Sequence, residues 1–304
     1  MPSTSQMKIV FLGTGGSYPS PQRNVSALAL KAGGEVILFD CGEGTQRQLM
    51  SSSISFMAID KIFITHLHGD HFLGLPGLLQ TMNMNDREEK VKVYCPGGTA
   101  KVLKKIISSG YFRPPFPVKI YELKAGARVD FDGYSMTALR AAHNVPSLAY
   151  SFKENDKKGR FDKQKALDLG VPEGPLFSDL HEGHSVEVDG KTIEPEQVVG
   201  PPRKGKKVVY TGDTKPCEEI IEGARNADVL IHEGTLDSSL SDAALSHGHS
   251  SVEMAAEVAR KAGVSKLFID HISPRYEDVK ELEDQAKEIF ENSIIPDDLS
   301  EHEI

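Results

Sequence analysis

Short apolar runs that end in small or polar residues recur along most of the chain, and this pattern predicts β-strands. Two glycines, Gly33 and Gly34, separate one pair of runs and predict a hairpin turn between them. The predicted strands are Met7–Leu12, Ala27–Leu30, Val36–Phe39, Lys61–Thr65, Val91–Cys95, Val118–Leu123, Tyr134–Leu139, Lys207–Thr214, Val229–Thr235 and Lys266–His271.

Helical periodicity occupies several of the intervals between these strands. The predicted helices are Phe72–Met84, Ala100–Ile107, Ser250–Ala262 and Tyr276–Phe290. Strands and helices alternate loosely in both halves of the chain, and no short repeat recurs at a fixed period. This order predicts an α/β sandwich with helices on both of its faces.

The segment from about Ser151 to Gly205 interrupts the pattern. It is rich in lysine, then in glycine and proline, and its apolar periodicity fades. We expect residues 151–205 to form an arm that is inserted into a single domain spanning residues 1–304, and not a separate domain with its own core.

The composition limits the classes of protein to which this chain can belong. Of the 304 residues 39% are hydrophobic, yet no apolar stretch approaches the about 20 residues that cross a membrane. Residues 1–6 lack the features of a signal peptide, and three scattered cysteines do not make a disulfide framework, so we expect a cytoplasmic protein. The net charge of −9 argues weakly against a nucleic-acid partner, although residues 151–205 concentrate basic side chains.

The chemistry concentrates in the run from Thr65 to His71. Three of the chain's 11 histidines (His66, His68 and His71) and Asp70 lie within six residues, directly after a predicted strand. Residues i and i+2 of an extended segment point to the same side, and Gly69 allows a tight turn after them. Imidazole nitrogens and a carboxylate that converge are typical zinc ligands, whereas a loop of solvated histidines would not need to adjoin a core strand.

Three further candidate ligands follow apolar runs: His143, Asp213 and His271. One such histidine alone is more often a core residue, but together with the cluster they indicate two metal sites. Asp40 also stands at a strand end. It could cap the following helix, or it could hold a ligand histidine by its other ring nitrogen, and we favour the second role.

The motif His-x-His-x-Asp-His at a strand end resembles the metallo-β-lactamase superfamily, and several further stretches resemble the ribonuclease Z family, which processes the 3′ ends of tRNA. These stretches are Phe39–Gln48, Thr65–His71, Thr211–Cys217, His232–Thr235, His249–Ser251 and His271–Tyr276. The resemblance runs from about Met7 to Phe290. It implies a four-layer αβ/βα sandwich with a protruding flexible arm.

The resemblance also implies the roles of individual residues and the reaction. It implies two zinc ions per subunit, a homodimer in which one subunit's arm serves the other's active site, and cleavage of the 3′ trailer from precursor tRNA after the discriminator base. The implied ligands are His66, His68 and His143 for the first zinc, Asp70, His71 and His271 for the second, and Asp213 as the bridge. In this family Asp70 also assists the attacking water, and His249 is the general acid.

His249 precedes a predicted helix, with Ser250 and Ser251 as candidate caps. The helix dipole there disfavours a protonated histidine, so a carboxylate partner is needed, and we expect Glu233 to supply it. Nearby His247 lacks the His-Ser-Ser pattern. The remaining histidines that we expect to be solvated are His181, His184 and His302.

The resemblance also suggests substrate-binding residues. Gly174 and Pro175 resemble the glycine-proline pattern of the family's tRNA-binding arm, although His181 stands where the family often has lysine. Arg23 and Asn24 resemble a loop that senses the CCA end of mature tRNA, although Pro21 stands where a basic residue is common.

Three alternatives remain. A hydrolase of the same fold could act on small phosphodiesters, but it would need neither the arm nor His249. A diiron flavoprotein would need a carboxylate in place of His68 and an added flavin domain. A catalytically silent RNA-binding relative would not need all seven ligands.

Overall fold

The computed structural model describes residues 7–304 of the chain. Residues 1–6, on which the expectation about a signal peptide rests, lie outside the described residues. Within residues 7–304 no helix is both long enough and apolar enough to span a membrane. None of the three cysteines forms a disulfide bond.

The described chain contains sixteen strands and ten α-helices. The strands are β1 (Lys8–Gly13), β2 (Ala27–Ala32), β3 (Glu35–Phe39), β4 (Ile59–Phe63), β5 (Val91–Pro96), β6 (Val118–Leu123), β7 (Arg128–Phe131), β8 (Tyr134–Arg140), β9 (Leu148–Glu154), β10 (Val186–Val188), β11 (Lys191–Ile193), β12 (Lys207–Tyr210), β13 (Val229–Glu233), β14 (Leu267–Asp270), β15 (Ser293–Ile294) and β16 (Glu301–Glu303). The helices are α1 (Thr45–Ser51), α2 (Gly69–Phe72), α3 (Leu75–Met84), α4 (Ala100–Ile107), α5 (Lys163–Asp168), α6 (Pro175–Glu182), α7 (Glu218–Ala224), α8 (Ser241–His247), α9 (Val252–Ala262) and α10 (Lys280–Ile289).

The described chain divides into two compact units, and the larger one consists of residues 7–152 and 207–304. Two seven-stranded sheets form its centre. The first has the strand order β16-β1-β2-β3-β4-β5-β6, and the second has the order β15-β14-β13-β12-β9-β8-β7. Aromatic side chains from both sheets, among them Phe39, Phe63, Tyr150, Tyr210 and Phe268, share one buried cluster between them. The outer face of the first sheet packs on α1, α3 and α4, and that of the second packs on α7, α9 and α10. The expected α/β sandwich with helices on both faces is confirmed.

Most predicted elements are present, with one clear correction. The single helix expected over Phe72–Met84 is two helices, α2 and α3, separated at Leu73 and Gly74. The Gly74 N–H donates to the Cys41 carbonyl at 2.9 Å, so the helical hydrogen-bond pattern is interrupted there although Leu73 and Gly74 keep helical backbone angles. An added Cβ on Gly74 would lie 2.0 Å from the Gly42 carbonyl oxygen, so only glycine allows this close approach.

Lys153–Lys206 forms a second compact unit. It contains α5, α6 and the two-stranded sheet β10-β11. Contrary to our expectation it has a small apolar cluster of its own, which includes Ala166, Leu180 and Val198. Its elements are short, with helices of six and eight residues and strands of three, so each carries too few apolar positions for the pattern to stand out.

Candidate metal centre

The candidate ligands lie where strands of both sheets end. His66 and His68 follow β4, and Asp70 and His71 belong to the short helix α2. His143 follows β8, Asp213 follows β12, and His271 comes directly after β14. The strand ends therefore bring all seven candidate ligands to one place.

The donor atoms form two groups. In the first, His68 Nδ1 lies 3.1 Å from His66 Nε2 and 3.2 Å from His143 Nε2. In the second, His271 Nε2 lies 3.3 Å from an Asp70 oxygen, and His71 Nε2 lies 3.7 Å from the same oxygen. Ligands of a tetrahedral zinc, bound at about 2.0–2.1 Å, lie roughly 3.3 Å from one another. The observed spacings are close to this value.

Asp213 joins the two groups through different oxygens. Its Oδ2 lies 3.5 Å from His66 Nε2 and 3.9 Å from His143 Nε2. Its Oδ1 lies 3.3 Å from both His71 Nε2 and His271 Nε2. The carboxylate is buried, and each of its oxygens faces a different set of imidazole nitrogens. This is the arrangement of a carboxylate that bridges two cations.

Two buried polar atoms in this centre lack hydrogen-bond partners among the described residues: His71 Nε2 and Asp213 Oδ1. Buried polar atoms are almost always satisfied, so orphaned atoms require an explanation. Both atoms belong to the second donor group: they lie 3.3 Å from each other, and Asp213 Oδ1 lies 3.3 Å from His271 Nε2. Nitrogen and carboxylate donors of this kind fit a zinc ion, and the residues present therefore fit the metal that the resemblance implies.

Two buried carboxylates, Asp40 and Glu233, orient four of the imidazole rings through their Nδ1 atoms, directly or through a threonine hydroxyl. Asp40 Oδ2 accepts a hydrogen bond from His71 Nδ1 at 2.7 Å and another from the Thr65 hydroxyl, which lies 3.0 Å from His66 Nδ1. Because Thr65 donates to Asp40, its oxygen is left to accept the His66 Nδ1 proton. Each Nε2 lone pair is therefore directed into the centre.

Glu233, in the second sheet, orients two imidazole rings in the same way. Its Oε1 lies 3.0 Å from His249 Nδ1, and its Oε2 accepts the Thr235 hydroxyl at 2.7 Å. The same hydroxyl lies 3.0 Å from His271 Nδ1. Glu233 also accepts the backbone N–H groups of Thr214 and Ser250, so this buried carboxylate is held from four directions. His143 differs, because its Nδ1 lies 2.8 Å from the backbone oxygen of Gly248.

Asp40 has no part in capping the next helix, since Gly44 occupies the N-cap of α1. Its backbone adopts a φ of 54°, a left-handed conformation that aspartate tolerates better than most residues. The Tyr210 hydroxyl and the Thr65 backbone N–H also donate to its carboxylate. These contacts are the ones that the favoured role of Asp40 requires.

Charge pairing opposes the effect of burial at several of these groups. Burial favours the neutral forms, but the carboxylates of Asp213 and Asp40 raise the pKa of His71 well above its usual value. Burial would likewise raise the pKa of Asp213, but the charges of His271, His71 and His66 lower it well below its usual range. For His66, burial and the charge of His71 lower the pKa. Asp213 is therefore ionised and able to share its charge between two cations.

His249 and Asp70 line the same centre. Burial would lower the pKa of His249, but the hydrogen bond and charge of Glu233 raise it. Burial would raise the pKa of Asp70, but the hydrogen bond from His271 and the charge of His71 lower it. Asp70 also accepts the backbone N–H of Ser17 at 2.7 Å. Ser251 caps α9, so His249 stands just before this helix as expected.

Ser17 belongs to a glycine-rich turn that packs on the centre. A Cβ on Gly16 would lie 2.5 Å from the His271 ring, so only glycine fits there. Asp298 holds this turn from the far end of the sequence, because its carboxylate accepts the N–H and hydroxyl of Thr14, at 3.0 and 2.8 Å, and the N–H of Asn24 at 2.7 Å.

Arg23 does not present its charge to a substrate. Its side chain is buried, and its guanidinium donates to the Thr14 hydroxyl and the Pro296 carbonyl and pairs with Asp297. The guanidinium thus fixes the loop to residues 296–297, which corrects the expectation that it contacts RNA. Asn24 is half-buried, and its substrate role stays a prediction.

The other predicted residues lie elsewhere. Gly174 caps α6, which begins at Pro175, within the second unit. His181 and His184 are exposed, and His247 bonds to the Ala243 carbonyl of its own helix. His302 is not solvated as expected: it is half-buried, with its ring 4.6 Å from that of Phe268.

Sequence reasoning missed three supporting residues: Thr65 and Thr235, each placed between a carboxylate and an imidazole, and Asp298. The two threonines each follow a strand within the quoted motifs, which was the available signal. Asp298 had none, because its partners lie 250 or more positions away.

Comparison with known proteins supports the family resemblance. The family description "Beta-lactamase superfamily domain" matches residues 188–272, and "Anti-Pycsar protein Apyc1" matches residues 7–157. The chain is 46% identical over 299 residues to a Ribonuclease Z of Methanosarcina acetivorans, which covers 98% of both chains. It is 47% identical over 300 residues to a Ribonuclease Z of Archaeoglobus fulgidus, which covers 98% of this chain and 97% of that one.

Solved structures agree in fold. Human tRNase Z, short form, matches with a TM-score of 0.71 and 29% identity over 98% of this chain and 99% of the human one. A metallo-beta-lactamase fold protein of Bacillus subtilis matches with a TM-score of 0.72 over 98% of this chain and 99% of the other. At 18% identity the second match speaks for the fold alone.

Proposed function

We propose that this chain, which belongs to the ribonuclease Z family and has the metallo-β-lactamase fold, is a zinc-dependent endoribonuclease of tRNA 3′-end processing. It cleaves the 3′ trailer from precursor tRNA after the discriminator base. The products are a tRNA with a 3′-hydroxyl and a trailer with a 5′-phosphate. Relatives at about 45% identity over nearly the whole chain carry the assignment of the activity.

One observation carries the two-metal chemistry: the two oxygens of Asp213 face two separate groups of imidazole nitrogens. His66, His68 and His143 would hold the first zinc, Asp70, His71 and His271 the second, and Asp213 would bridge them. When bound, two zinc ions supply Lewis acidity that promotes attack of water on a phosphodiester and stabilises the charge that develops on its oxygens.

The chain's own groups would handle the protons. Asp70 is ionised, and its oxygen is oriented by the Ser17 N–H, so it can accept a hydrogen bond from the attacking water. Water forms the new bond to phosphorus as the bond from phosphorus to the 3′-oxygen breaks. His249, kept protonated by Glu233, donates a proton to that 3′-oxygen, which leaves as a hydroxyl.

The substrate contacts and the assembly are part of the same proposal. We assign tRNA binding to the arm, Lys153–Lys206, with Gly174 and Pro175 in it, and a contact near the cleavage site to Asn24. We also propose a homodimer in the cytoplasm. Light scattering that gave the mass of a single chain would contradict the dimer without affecting the catalytic assignment.

A hydrolase of small phosphodiesters is the alternative, and leaving-group chemistry separates the two. The test compares precursor tRNA that carries a 3′ trailer with bis(p-nitrophenyl) phosphate, whose leaving group needs no proton. In the zinc-loaded protein His249→Ala should slow tRNA cleavage by about 10²–10⁴-fold and leave hydrolysis of the small ester nearly unchanged.

His68→Ala is the matched control, because it removes a candidate ligand and should abolish both reactions. Zinc analysis of the purified protein should give two equivalents per chain. Hydrolysis of the small ester without any cleavage of precursor tRNA would favour the alternative. Absence of bound zinc, with no activity after zinc addition, would refute the metal chemistry.

A further inference from the structure

Positively charged residues are distributed unevenly along this acidic chain. Between Lys90 and Tyr121 there is no aspartate or glutamate, although the chain as a whole carries 44 of them. The basic residues in this stretch are Lys90, Lys92, Lys101, Lys104, Lys105, Arg113 and Lys119. A net charge of +7 over this stretch contrasts with −9 for the whole chain, and the stretch belongs to the body of the fold and not to the arm.

Helix α4 gathers three of these lysines on its solvent side. Leu103 and Ile107 are buried against the first sheet. Lys101, Lys104 and Lys105 are exposed, and their spacing of three and four residues places them on neighbouring turns. We refer to Lys101, Lys104 and Lys105 as the α4 lysine strip.

The strip lacks the ion pairs that neutralise other surface helices of this protein. In α9 and α10 a basic residue pairs with an acidic one three or four positions away, in the pairs Glu257–Arg260, Lys280–Asp284 and Glu283–Lys287. None of the three strip lysines has a carboxylate within 4 Å among residues 7–304. Glu122 accepts the Ala100 N–H at the start of α4, and this hydrogen bond, together with the charge of Lys104, lowers the pKa of its carboxyl group.

The strip also starts at the edge of the sheet that carries the metal centre. Strands β4 and β5 are parallel, with Phe63 opposite Tyr94, so their carboxyl ends lie at the same edge. One of these ends leads to His66 and the other leads to α4, which begins at Ala100. The helix is about 12 Å long, so its lysines lead away from this edge along the outer face.

We propose that the α4 lysine strip binds backbone phosphates of the substrate RNA next to the cleavage site, as a second RNA-binding surface apart from the arm. This inference rests on the proposed function. A row of unpaired cations on a rigid helix fits a row of phosphates, and it supplies affinity without reading sequence. It would also give a chain of net charge −9 a positively charged surface that starts at the sheet edge carrying the metal centre.

The test replaces Lys105 by glutamate and uses Lys261→Glu as its matched control. Both lysines are exposed, both lie in the last turn of a helix, and neither has a carboxylate within 4 Å in the described chain. The two substitutions therefore change the net charge and the helix-dipole interaction equally. Binding of fluorescent precursor tRNA is measured by anisotropy over a range of salt concentrations, in the His249→Ala background so that the RNA stays intact.

Lys105→Glu should raise the Kd at 0.1 M salt about five- to tenfold and reduce the slope of log K against log salt by about 1. Lys261→Glu should change neither quantity. In chains that retain His249, hydrolysis of bis(p-nitrophenyl) phosphate should be equal in both variants, which shows an intact metal centre. Equal RNA affinities for the two variants would overturn the inference while leaving the proposed function intact. A parent protein that neither binds nor cleaves precursor tRNA would overturn both.

Discussion

The substitution Asp40→Asn tests whether a buried negative charge behind the metal centre holds it together. Asparagine has nearly the same shape as aspartate and tolerates the φ of 54° at this position, so the backbone conformation is not disturbed. The carboxylate accepts four hydrogen bonds, from the Thr65 N–H and hydroxyl, His71 Nδ1 and the Tyr210 hydroxyl, at 2.7–2.9 Å. All four partners are donors.

The amide NH2 of asparagine must therefore face a donor. The NH2 group is least unfavourable in the place of Oδ1, because Oδ1 accepts only the Thr65 N–H. In that orientation the Thr65 N–H and one amide N–H of the asparagine are buried without acceptors. Each of the two unsatisfied groups costs about 1–3 kcal/mol, so the free energy of unfolding should fall by about 2–6 kcal/mol. His71 also loses its ionised partner, which should weaken zinc binding by about 10–100-fold.

Urea unfolding of the zinc-free protein measures the first effect, and competition with a chelator of known zinc affinity measures the second. Tyr210→Phe is the control, since it removes one donor and keeps the charge; it should cost only about 1–2 kcal/mol and alter zinc affinity less. If Asp40→Asn kept the unfolding midpoint and zinc affinity of the parent protein, our account of this carboxylate would be wrong.

Three further substitutions test other contacts. Glu233→Gln removes the charge that keeps His249 protonated, so single-turnover cleavage of precursor tRNA should slow by about 10²-fold or more, and an unchanged rate would contradict this pairing. Arg23→Met leaves the Pro296 carbonyl without its donor, so the free energy of unfolding should fall by about 1–3 kcal/mol in a urea titration, while the KM for tRNA stays constant; a raised KM with normal stability would restore Arg23 as a substrate contact. Leu180→Ala should leave a cavity in the apolar cluster of the arm and raise the KM for tRNA, while the rate of small-ester hydrolysis stays the same. Leu167→Ala, at a more exposed position, should leave both the cluster and the KM unchanged. Equal KM values for the two variants would show that the arm does not contribute to RNA binding.

Local sequence was sufficient where local forces decide the structure. The helix Ala100–Ile107 has the predicted bounds, because its apolar spacing and the Pro-Gly-Gly turn before it both act within a few residues. The candidate ligand histidines, which the fold brings together, were selected for the same reason, since each follows a strand with a strong apolar pattern. The interruption at Gly74 was missed because the Gly74 N–H donates to the carbonyl of Cys41, which is distant in the sequence.

Burial of polar groups was the least predictable property. Arg23 looked like an exposed cation in a polar loop, but residues 296 and 297 supply its partners. The threonines at positions 65 and 235 looked like ordinary strand ends, and their role depends on carboxylates contributed by other strands. Such roles are set by the packing of the complete fold, which no window of the sequence contains.

The dependence of the glycine-rich turn on Asp298 has a consequence for synthesis of the chain. All seven candidate ligands have been translated once His271 is made, and Ile272, the next residue, exchanges backbone hydrogen bonds with Thr14 and Gly16 of the turn. The carboxylate that binds the Thr14 side chain and the Asn24 N–H comes 27 positions after His271. A nascent chain that ends at its last ligand therefore lacks these side-chain contacts, and the turn gains them only when residue 298 has been made.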